Sequence, residues 1–215
     1  MNKLVIFDLD GTLLDSLPDI YDNINLMLKK FGYPSRKREE VMQFIGNGAR
    51  NLVKRSIPDG MSEEQIDKCL TYYNEIYTNS GSPKTKLFDG IRETVVELKN
   101  RGYKLAILTN KPQITTDRIY EEYMMDLGFD VVIGQRNGVK IKPDPITALK
   151  IIEELESSPE NTYFVGDGET DVETSINANT CGIAVLWGYR NRAQLEKAGA
   201  KVFVNAPKEL LSVIL

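Results

Sequence analysis

Two carboxylates stand two residues apart at the end of a short apolar run near the start of the chain. The run is Leu4–Phe7, and Asp8 and Asp10 follow it. Residues i and i+2 of an extended chain point to the same side, so these carboxylates repel each other unless a cation or a shared proton lies between them. Oxygen ligands on a tight turn suit Mg²⁺, and a carboxylate can be the nucleophile in enzymes that form an aspartyl-phosphate. A strand that merely ends in an acidic turn is the simpler interpretation.

Two later apolar stretches also end in polar side chains that can bind a ligand. Apolar runs lead to Thr109 and to Asp167. In open α/β sheets, ligands bind beyond the carboxyl ends of the strands, so these side chains are expected at the same edge as Asp8 and Asp10. Taken singly, Thr109 is explained as a helix N-cap and Asp167 as a turn residue. One hydroxyl and three carboxylates at a single edge indicate a site.

Alternating strands and helices from residue 87 onward are predicted to position this edge. The pattern indicates an α/β protein with a doubly wound parallel sheet, covered by helices on both sides and joined by right-handed crossovers. The strands predicted after the first are 104–109, 131–133, 162–166, 182–186 and 201–204, and the helices are 91–100, 113–126, 145–156, 170–179, 192–198 and 208–214.

A purely helical segment is inserted between the first strand and the rest of the sheet. Helical spacing and turn signals predict four helices in it, and residues 79–83 are typical of a linker. The sequence therefore predicts an α/β core domain, residues 1–15 and 83–215, and an all-helical cap domain, residues 16–82. An insertion directly after the acidic pair is typical of a lid over a site. The four helices are expected at 20–31, 36–44, 49–56 and 62–77.

The composition excludes several classes of function. Lys and Arg number 27 against 31 Asp and Glu, a net charge of −4, and no basic run occurs, so no nucleic-acid partner is expected. No stretch approaches the roughly 20 apolar residues of a membrane span, so no membrane partner is expected either. The chain has no His, which excludes Ser-His-Asp and Cys-His catalysis and any His-ligated metal.

The length and the two cysteines bear on size and location. A chain of 215 residues, of which 41% are hydrophobic, suffices for one large domain or a domain with an insertion. The first apolar run is too short for a secretory signal. Cys69 and Cys181 have no metal-type spacing and are expected to be reduced thiols, which indicates a cytoplasmic protein.

The string Phe-Asp-Leu-Asp-Gly-Thr-Leu-Leu-Asp-Ser at residues 7–16 resembles the opening motif of the haloacid dehalogenase-like (HAD) superfamily, in its phosphatase branch. The resemblance implies a Rossmann-like HAD core, with Asp8 as nucleophile and Asp10 as general acid and base. It further implies a Mg²⁺ ion held by Asp8, the carbonyl of Asp10 and Asp167. The family pattern of the dehalogenases lacks the second Asp, so Asp10 argues against that activity.

Two more stretches resemble the next HAD motifs in order. Thr109 and Asn110 resemble the second motif, which implies that the Thr109 hydroxyl and a following backbone N–H bind the phosphate. Lys142 resembles the third, which implies that it holds both the phosphoryl oxygens and the nucleophile. Lys111 and Lys140 are rivals for this role, but the family pattern puts the lysine directly before a proline, as at Lys142.

The stretch 166–171, Gly-Asp-Gly-Glu-Thr-Asp, resembles the fourth motif. It implies that Asp167 is a metal ligand and that Asp171 lies behind it. The family pattern then usually ends in Ala-Gly, whereas this chain has Ala178 followed by Asn179. Asn is the next-best residue for a left-handed helix cap, so we expect the turn to persist without loss of a catalytic role.

The cap is expected to carry the determinants of substrate choice. Residues 44–49, Phe-Ile-Gly-Asn-Gly-Ala, resemble the lid loop of phosphoglycolate phosphatases. Arg50 and Lys54, four residues apart on one helix face, are candidates to attract a substrate carboxylate. A Gly-rich turn before a surface helix is the alternative. The β-phosphoglucomutase relatives have a lid pattern with a His, which this chain lacks. Three residues of the lid loop are expected near the leaving group: Gly46, Asn47 and Gly48.

The features together predict a Mg²⁺-dependent phosphatase for small phosphorylated metabolites, of phosphoglycolate phosphatase type, acting as a monomer or homodimer. An inorganic pyrophosphatase or a sugar phosphatase on the same core is the alternative. A non-catalytic receiver-type module with a phosphorylatable Asp is a remote one. The cap argues against a receiver, and so does Asp10, which would hydrolyse the acyl phosphate quickly.

Overall fold

A parallel six-stranded sheet forms the centre of the protein. The computed structural model describes all 215 residues. Six strands follow the order β5-β4-β1-β6-β7-β8, and β2 and β3 form a separate antiparallel pair. In chain order, the strands are β1 (Leu4–Phe7), β2 (Leu14–Asp15), β3 (Lys86–Leu87), β4 (Lys104–Pro112), β5 (Val131–Gln135), β6 (Thr162–Gly166), β7 (Cys181–Val185) and β8 (Phe203–Val204).

Helices cover both faces of the sheet, as the alternation of elements predicted. Leu4 and Ile6 of β1 belong to a buried cluster with helical residues of the segment 148–152, whereas Val5 and Phe7 face a larger cluster on the other side. The predicted α/β class with a doubly wound parallel sheet is therefore confirmed. The helices are α1 (Leu17–Lys30), α2 (Arg38–Phe44), α3 (Gly48–Ser56), α4 (Glu63–Asn79), α5 (Ile91–Asn100), α6 (Gln113–Tyr123), α7 (Ile146–Glu154), α8 (Glu169–Asn177), α9 (Arg192–Lys197) and α10 (Leu210–Val213).

Strand β1 is the central strand because all four of its side chains are apolar and fully buried. It pairs with β4 on one side and with β6 on the other. The chain runs from β4 outward to β5 and then returns to β6 across β1, so the strand order reverses beside β1. Ligand sites of open α/β sheets lie at such a reversal, beyond the carboxyl ends of the strands. Asp8, the first residue after β1, lies at this position.

The four inserted helices, α1 to α4, lie between β2 and β3, where the helical spacing predicted them. Helix α4 begins with a capping box, in which the Ser62 hydroxyl accepts the N–H of Gln65. Ile20 of α1 and Tyr73 of α4 belong to the same buried cluster as Phe7 of β1, so the insertion shares a hydrophobic core with the sheet. No helix of the protein is both long enough and apolar enough to cross a membrane.

The bounds of β5, β7 and β8 differ from the prediction by one or two residues, and two further differences concern β4 and the pair of β2 and β3. Strand β4 continues to Pro112 instead of ending at Thr109, with a register irregularity against β5 after Leu108. The pair of β2 and β3 was not predicted, because two residues per strand are too few to show a period of two. This short ladder joins the two ends of the helical insertion.

Candidate active site

Asp8 is the first residue after the central strand. Its N–H donates to the carbonyl of Val165, so the parallel pairing with β6 continues to this point. Its carboxylate is buried, and Oδ1 lies 2.8 Å from Nζ of Lys142. That contact is an ion pair without hydrogen-bond geometry, which leaves Oδ1 without a hydrogen-bond partner. The ion pair with Lys142 offsets part of the cost of burying this carboxylate, and Oδ1 keeps hydrogen-bonding capacity that a ligand or a reaction can use.

Three buried carboxylates meet at this edge of the sheet. One oxygen each of Asp8, Asp167 and Asp171 lies within 4.8 Å of the others. Burial raises the pKa of Asp8 to about 7, and the charge of Asp171 adds to this rise while that of Lys142 opposes it. Burial, followed by the charges of Asp171 and Asp8, raises the pKa of Asp167 to about 8. The cluster therefore has an excess of negative charge when its carboxylates are ionised.

The donor set of this cluster fits a hard divalent cation. Carboxylate oxygens are the ligands that Mg²⁺ prefers, and a cation offsets the repulsion that raises the pKa values of Asp8 and Asp167. Oδ1 of Asp8 has the ion pair with Lys142 but accepts no hydrogen bond, so a lone pair remains for a ligand. The charge of Asp171 is engaged by Lys142, whose Nζ donates to its Oδ1 at 2.5 Å, and its Oδ2 accepts from the N–H of Gly168 at 2.9 Å.

The position of Asp167 depends on a tight turn at Gly11. Gly11 has φ +86°, and a Cβ atom on it would collide with the carboxylate of Asp167. The Thr12 hydroxyl donates to Oδ1 of Asp167 at 3.1 Å, and the N–H of Tyr189 donates to Oδ2 at 2.8 Å. The turn after β1 and the loop after β7 therefore hold Asp167 from both sides.

Lys142 is the lysine that the fold brings to Asp8. It is buried and contacts both Asp8 and Asp171. Burial acts to lower the pKa of Lys142, but the charges of Asp171 and Asp8 outweigh this effect and leave the pKa raised, so the side chain stays an ammonium. Of its two rivals, Lys140 is exposed and pairs with Asp144, and Lys111 lies elsewhere in the site.

Asp10 has a charged partner of its own, the ammonium of Lys111. Nζ of Lys111 lies 3.0 Å from both carboxylate oxygens of Asp10, and the Ser16 hydroxyl donates to Oδ1. The two carboxylates have different lysine partners, so the cation expected between them stays a prediction. The carboxylate of Asp10 is not part of the cluster of Asp8, Asp167 and Asp171, although it lines the same cavity as Asp8.

Thr109 and Asn110 follow Leu108 and are themselves buried, in a part of β4 that stays buried up to Lys111. The Thr109 hydroxyl accepts the N–H of Lys111 at 3.2 Å and lines a cavity with Asp8 and Asp10. The Asn110 amide donates to the carbonyls of Gly46 and Lys142, and its oxygen accepts the N–H of Lys142. The side chain of Asn110 therefore joins three segments of the site to each other.

The cavity has a volume of about 50 Å³ and lies between the sheet edge and the inserted helices. Asp8, Asp10 and Thr109 form its sheet side, and Tyr73 and Tyr77 of α4 are among the residues on its helical side. A buried water needs roughly 10–15 Å³ on this measure, so the space corresponds to about four waters. The cavity therefore offers space for small groups directly beside Asp8 and Asp10.

The lid-loop residues have different positions. Gly46 and Gly48 line the cavity, whereas Asn47 does not. Arg50 forms ion pairs with Glu63 and Asp67 of α4 and does not line the cavity. The structure thus brings two of the three loop residues to the site but not Arg50, because the acidic start of α4 binds its guanidinium. Lys54 also faces that acidic start, 3.7 Å from Glu63.

Sequence reasoning missed the role of Arg190, a buried residue in the loop after β7. Its guanidinium pairs with Glu169 at 2.8 Å and donates to three carbonyls at the end of α2. The loop sequence has no period or motif that indicates such a bond. The carbonyls belong to Met42, Gln43 and Ile45. Arg190 therefore fastens the helical insertion to the sheet.

Substitution Arg190→Met is expected to lower the free energy of unfolding by about 3 kcal/mol or more. The buried carbonyl of Ile45 costs about 1–3 kcal/mol without a donor, and the loss of the two part-buried bonds and of the pair with Glu169 adds to this. Lys68→Met is a matched control, because Lys68 forms an exposed pair with Glu64 that is worth at most about 1 kcal/mol. Urea unfolding measures both variants, and equal small losses would contradict the role of Arg190.

The chain matches a family model, the sequences of curated proteins and a solved structure. The family model described as haloacid dehalogenase-like hydrolase matches residues 5–185. The chain is 34% identical to phosphoglycolate phosphatase 1 of Pseudomonas aeruginosa, over 97% of this chain and 78% of that protein. It is 29% identical to phosphoglycolate phosphatase of Vibrio parahaemolyticus, over 99% and 96%. A solved structure from Lactobacillus delbrueckii subsp. bulgaricus superposes with a TM-score of 0.93 at 28% identity, covering 100% and 99% of the two chains.

Proposed function

Because the chain belongs to the haloacid dehalogenase-like hydrolase family, we propose that it is a Mg²⁺-dependent phosphatase that works through an aspartyl-phosphate on Asp8. The observation that carries this proposal is the carboxylate of Asp8. It is buried beside the ammonium of Lys142, has an oxygen without a hydrogen-bond partner, and lines a cavity together with Asp10. These are the requirements of a nucleophile that is held in place but not blocked.

The metal would be held by Asp8, Asp167 and the backbone carbonyl of Asp10, with Asp171 behind them. When bound, Mg²⁺ offsets the repulsion between a phosphate dianion and the attacking carboxylate. Asp171 contributes through Lys142, whose ammonium it contacts at 2.5 Å. Thr12 and the N–H of Tyr189 keep both oxygens of Asp167 in a fixed orientation.

The two aspartates divide the chemistry between them. A carboxylate oxygen of Asp8 attacks phosphorus while the bond to the leaving-group oxygen breaks, and that oxygen takes a proton from the carboxyl group of Asp10. A water then attacks phosphorus and gives its proton to Asp10, and the bond between phosphorus and Asp8 breaks to release inorganic phosphate. The contacts of Asp10 with Lys111 and Ser16 fix its carboxylate at the cavity, which supports its part as the base in the second step.

The phosphoryl oxygens would be bound by groups at the ends of β4 and of the loop before α7. We assign Lys142, the Thr109 hydroxyl and the N–H of Asn110 to them, because phosphoryl transfer needs mainly positioning and charge. The side chain of Asn110 has a different role, since it is bonded to Gly46 and Lys142. It keeps the phosphate-binding backbone in place.

Residues 16–82 would act as a cap domain over the core of residues 1–15 and 83–215. The carbonyl of Gly46 accepts from Asn110, and the end of α2 accepts from Arg190. These bonds support a lid that excludes water while Asp8 is phosphorylated. Gly46 and Gly48 would lie against the leaving group.

We further propose that the substrate is a small phosphoester such as phosphoglycolate. Relatives with that name match almost the whole chain, and the lid-loop residues Gly46 and Gly48 line the cavity beside Asp8. Pyrophosphate has a compact leaving group and remains the alternative that the cavity also admits. A receiver-type module is disfavoured, since it needs neither the helical insertion nor Asp10 at the cavity.

Hydrolysis of phosphoglycolate is expected to require Mg²⁺ and to exceed that of glucose 1-phosphate and of pyrophosphate. Phosphate release is measured for each substrate with Mg²⁺, with excess chelator and with Ca²⁺. Chelation should abolish release, and Ca²⁺ should not restore it, because Ca²⁺ prefers more ligands and looser geometry. Full activity in excess chelator would refute the metal dependence, and faster hydrolysis of pyrophosphate would identify the alternative.

A further inference from the structure

We propose that Lys111 recognises an anionic leaving group and thereby makes the enzyme select phosphoesters that carry a carboxylate. The inference rests on the proposed phosphatase function and extends it to substrate choice. Its basis is that Lys111 is the one cationic residue among those that line the cavity. Lys142, the other buried lysine of the site, contacts Asp8 and Asp171 instead.

Nζ of Lys111 can give up one of its present hydrogen bonds and donate to a substrate instead. Nζ lies 3.0 Å from Oδ1 of Asp10, 3.0 Å from Oδ2 of Asp10 and 3.0 Å from the hydroxyl of Tyr77. An ammonium has three N–H donors, so all three are in use. Two of them serve the same carboxylate, and one is enough to hold Asp10. The second can turn to a carboxylate of the substrate without loss of the first.

The surroundings make this charge effective. The side chain of Lys111 is only 5% exposed, and Nζ lies 4.7 Å from the centre of the Tyr77 ring. Ile20, Ile45 and Leu52 line the same cavity. Attraction between opposite charges is stronger between apolar walls than in water. A substrate carboxylate therefore contributes more binding free energy here than at the protein surface.

Arg50, the sequence-based candidate for this role, is less suited to it. Its guanidinium is paired with Glu63 and Asp67, and its side chain is 42% exposed. A substrate carboxylate would have to replace two carboxylates that already neutralise it. Lys111 has one carboxylate partner and lies within the cavity.

The test compares two substrates that differ in charge but have nearly the same size: phosphoglycolate and its neutral amide, phosphoglycolamide. The kcat/KM ratio for the two is measured in the full-length wild-type enzyme with Mg²⁺ and in Lys111→Met, Lys111→Arg and Arg50→Met. Lys111→Met keeps the length of the side chain but removes its charge. A charge-assisted hydrogen bond that only phosphoglycolate can make predicts a roughly 10- to 100-fold fall in the ratio. Lys111→Arg keeps the positive charge and should therefore retain most of the wild-type kcat/KM ratio.

The outcomes separate this inference from the proposed function. If the wild type hydrolyses neither substrate, the phosphatase function fails. If Lys111→Met slows both substrates equally, Lys111 only positions Asp10 and the inference is overturned. A fall in the ratio for Arg50→Met but not for Lys111→Met would return the role to Arg50. Should Lys111→Met not fold by circular dichroism, the same ratio is read from Lys111→Gln, whose amide can still donate to Asp10 but has no charge.

Discussion

Asp8→Asn protein is expected to show no phosphate release above the level without enzyme, a loss on the order of 10⁴-fold or more. An amide is a poor nucleophile, so the covalent step cannot begin even though the cavity and Lys142 remain. The variant should stay folded. Burial and the charge of Asp171 raise the pKa of Asp8 to about 7, which means that its ionised form is unfavourable in the folded protein and that a neutral amide is tolerated.

Steady-state hydrolysis of an aryl phosphate and of phosphoglycolate measures this loss. Asp59→Asn is the matched control, because the same change of side chain then occurs at an exposed position of the insertion. The control should keep wild-type activity. If folded Asp8→Asn retained more than a few per cent of the turnover, the nucleophile would have to be another residue.

Asp10→Asn is expected to lose roughly 10²–10⁴-fold in steady-state turnover, yet to react once. An aryl phosphate has a good leaving group that needs little help from an acid, so Asp8 can still be phosphorylated. Hydrolysis of the intermediate does need a base, and Asn110 and Thr109 cannot supply one. The expected time course with p-nitrophenyl phosphate is a burst of one phenol per active site followed by a stall.

Stopped-flow absorbance measures that burst. Substitution of Ser16, whose hydroxyl donates to Oδ1 of Asp10, provides a control with a smaller expected effect on turnover. Ser16→Ala leaves the base in place and only loosens it, so it should slow turnover by far less and show no stall. A smooth, slow time course for Asp10→Asn without a burst would contradict the division of labour between Asp8 and Asp10.

Much of the fold was predictable because its signals are local. Strand β1 is a run of four apolar residues followed by acids, and the alternation of strands and helices after residue 87 requires a covered parallel sheet. The rule that ligands bind beyond the carboxyl ends of strands then located Asp8, Thr109 and Asp167 at one edge. The structure has Asp8 and Asp167 in a single carboxylate cluster, and Asp8 and Thr109 in a single cavity wall.

The remaining features depend on which charged side chains find each other, and sequence spacing does not determine that. Lys111 was weighed only as a rival of Lys142, whereas the continuation of β4 beyond Thr109 directs it to Asp10. Arg50 was assigned to the substrate, but α4 presents Glu63 and Asp67 to it across the insertion. Such pairs form between residues distant in the chain.

Arg190 illustrates a third limit. Its bonds go to backbone carbonyls at the end of α2, more than 140 residues earlier in the chain. Any sequence has such carbonyls, so nothing in the composition of α2 marks them as partners. The partnership depends on the tertiary contact between the helical insertion and the loop after β7, which local sequence does not encode.

The most direct test of the account is to identify the covalent adduct. Asp10→Asn enzyme is mixed with an aryl phosphate and Mg²⁺, quenched in acid within the burst, digested and analysed by mass spectrometry. The account predicts one phosphoryl group on the peptide that contains Asp8, attached to that side chain, and none in Asp8→Asn treated identically. A phosphoryl group on any other residue, or a burst of phenol with no adduct at all, would contradict it.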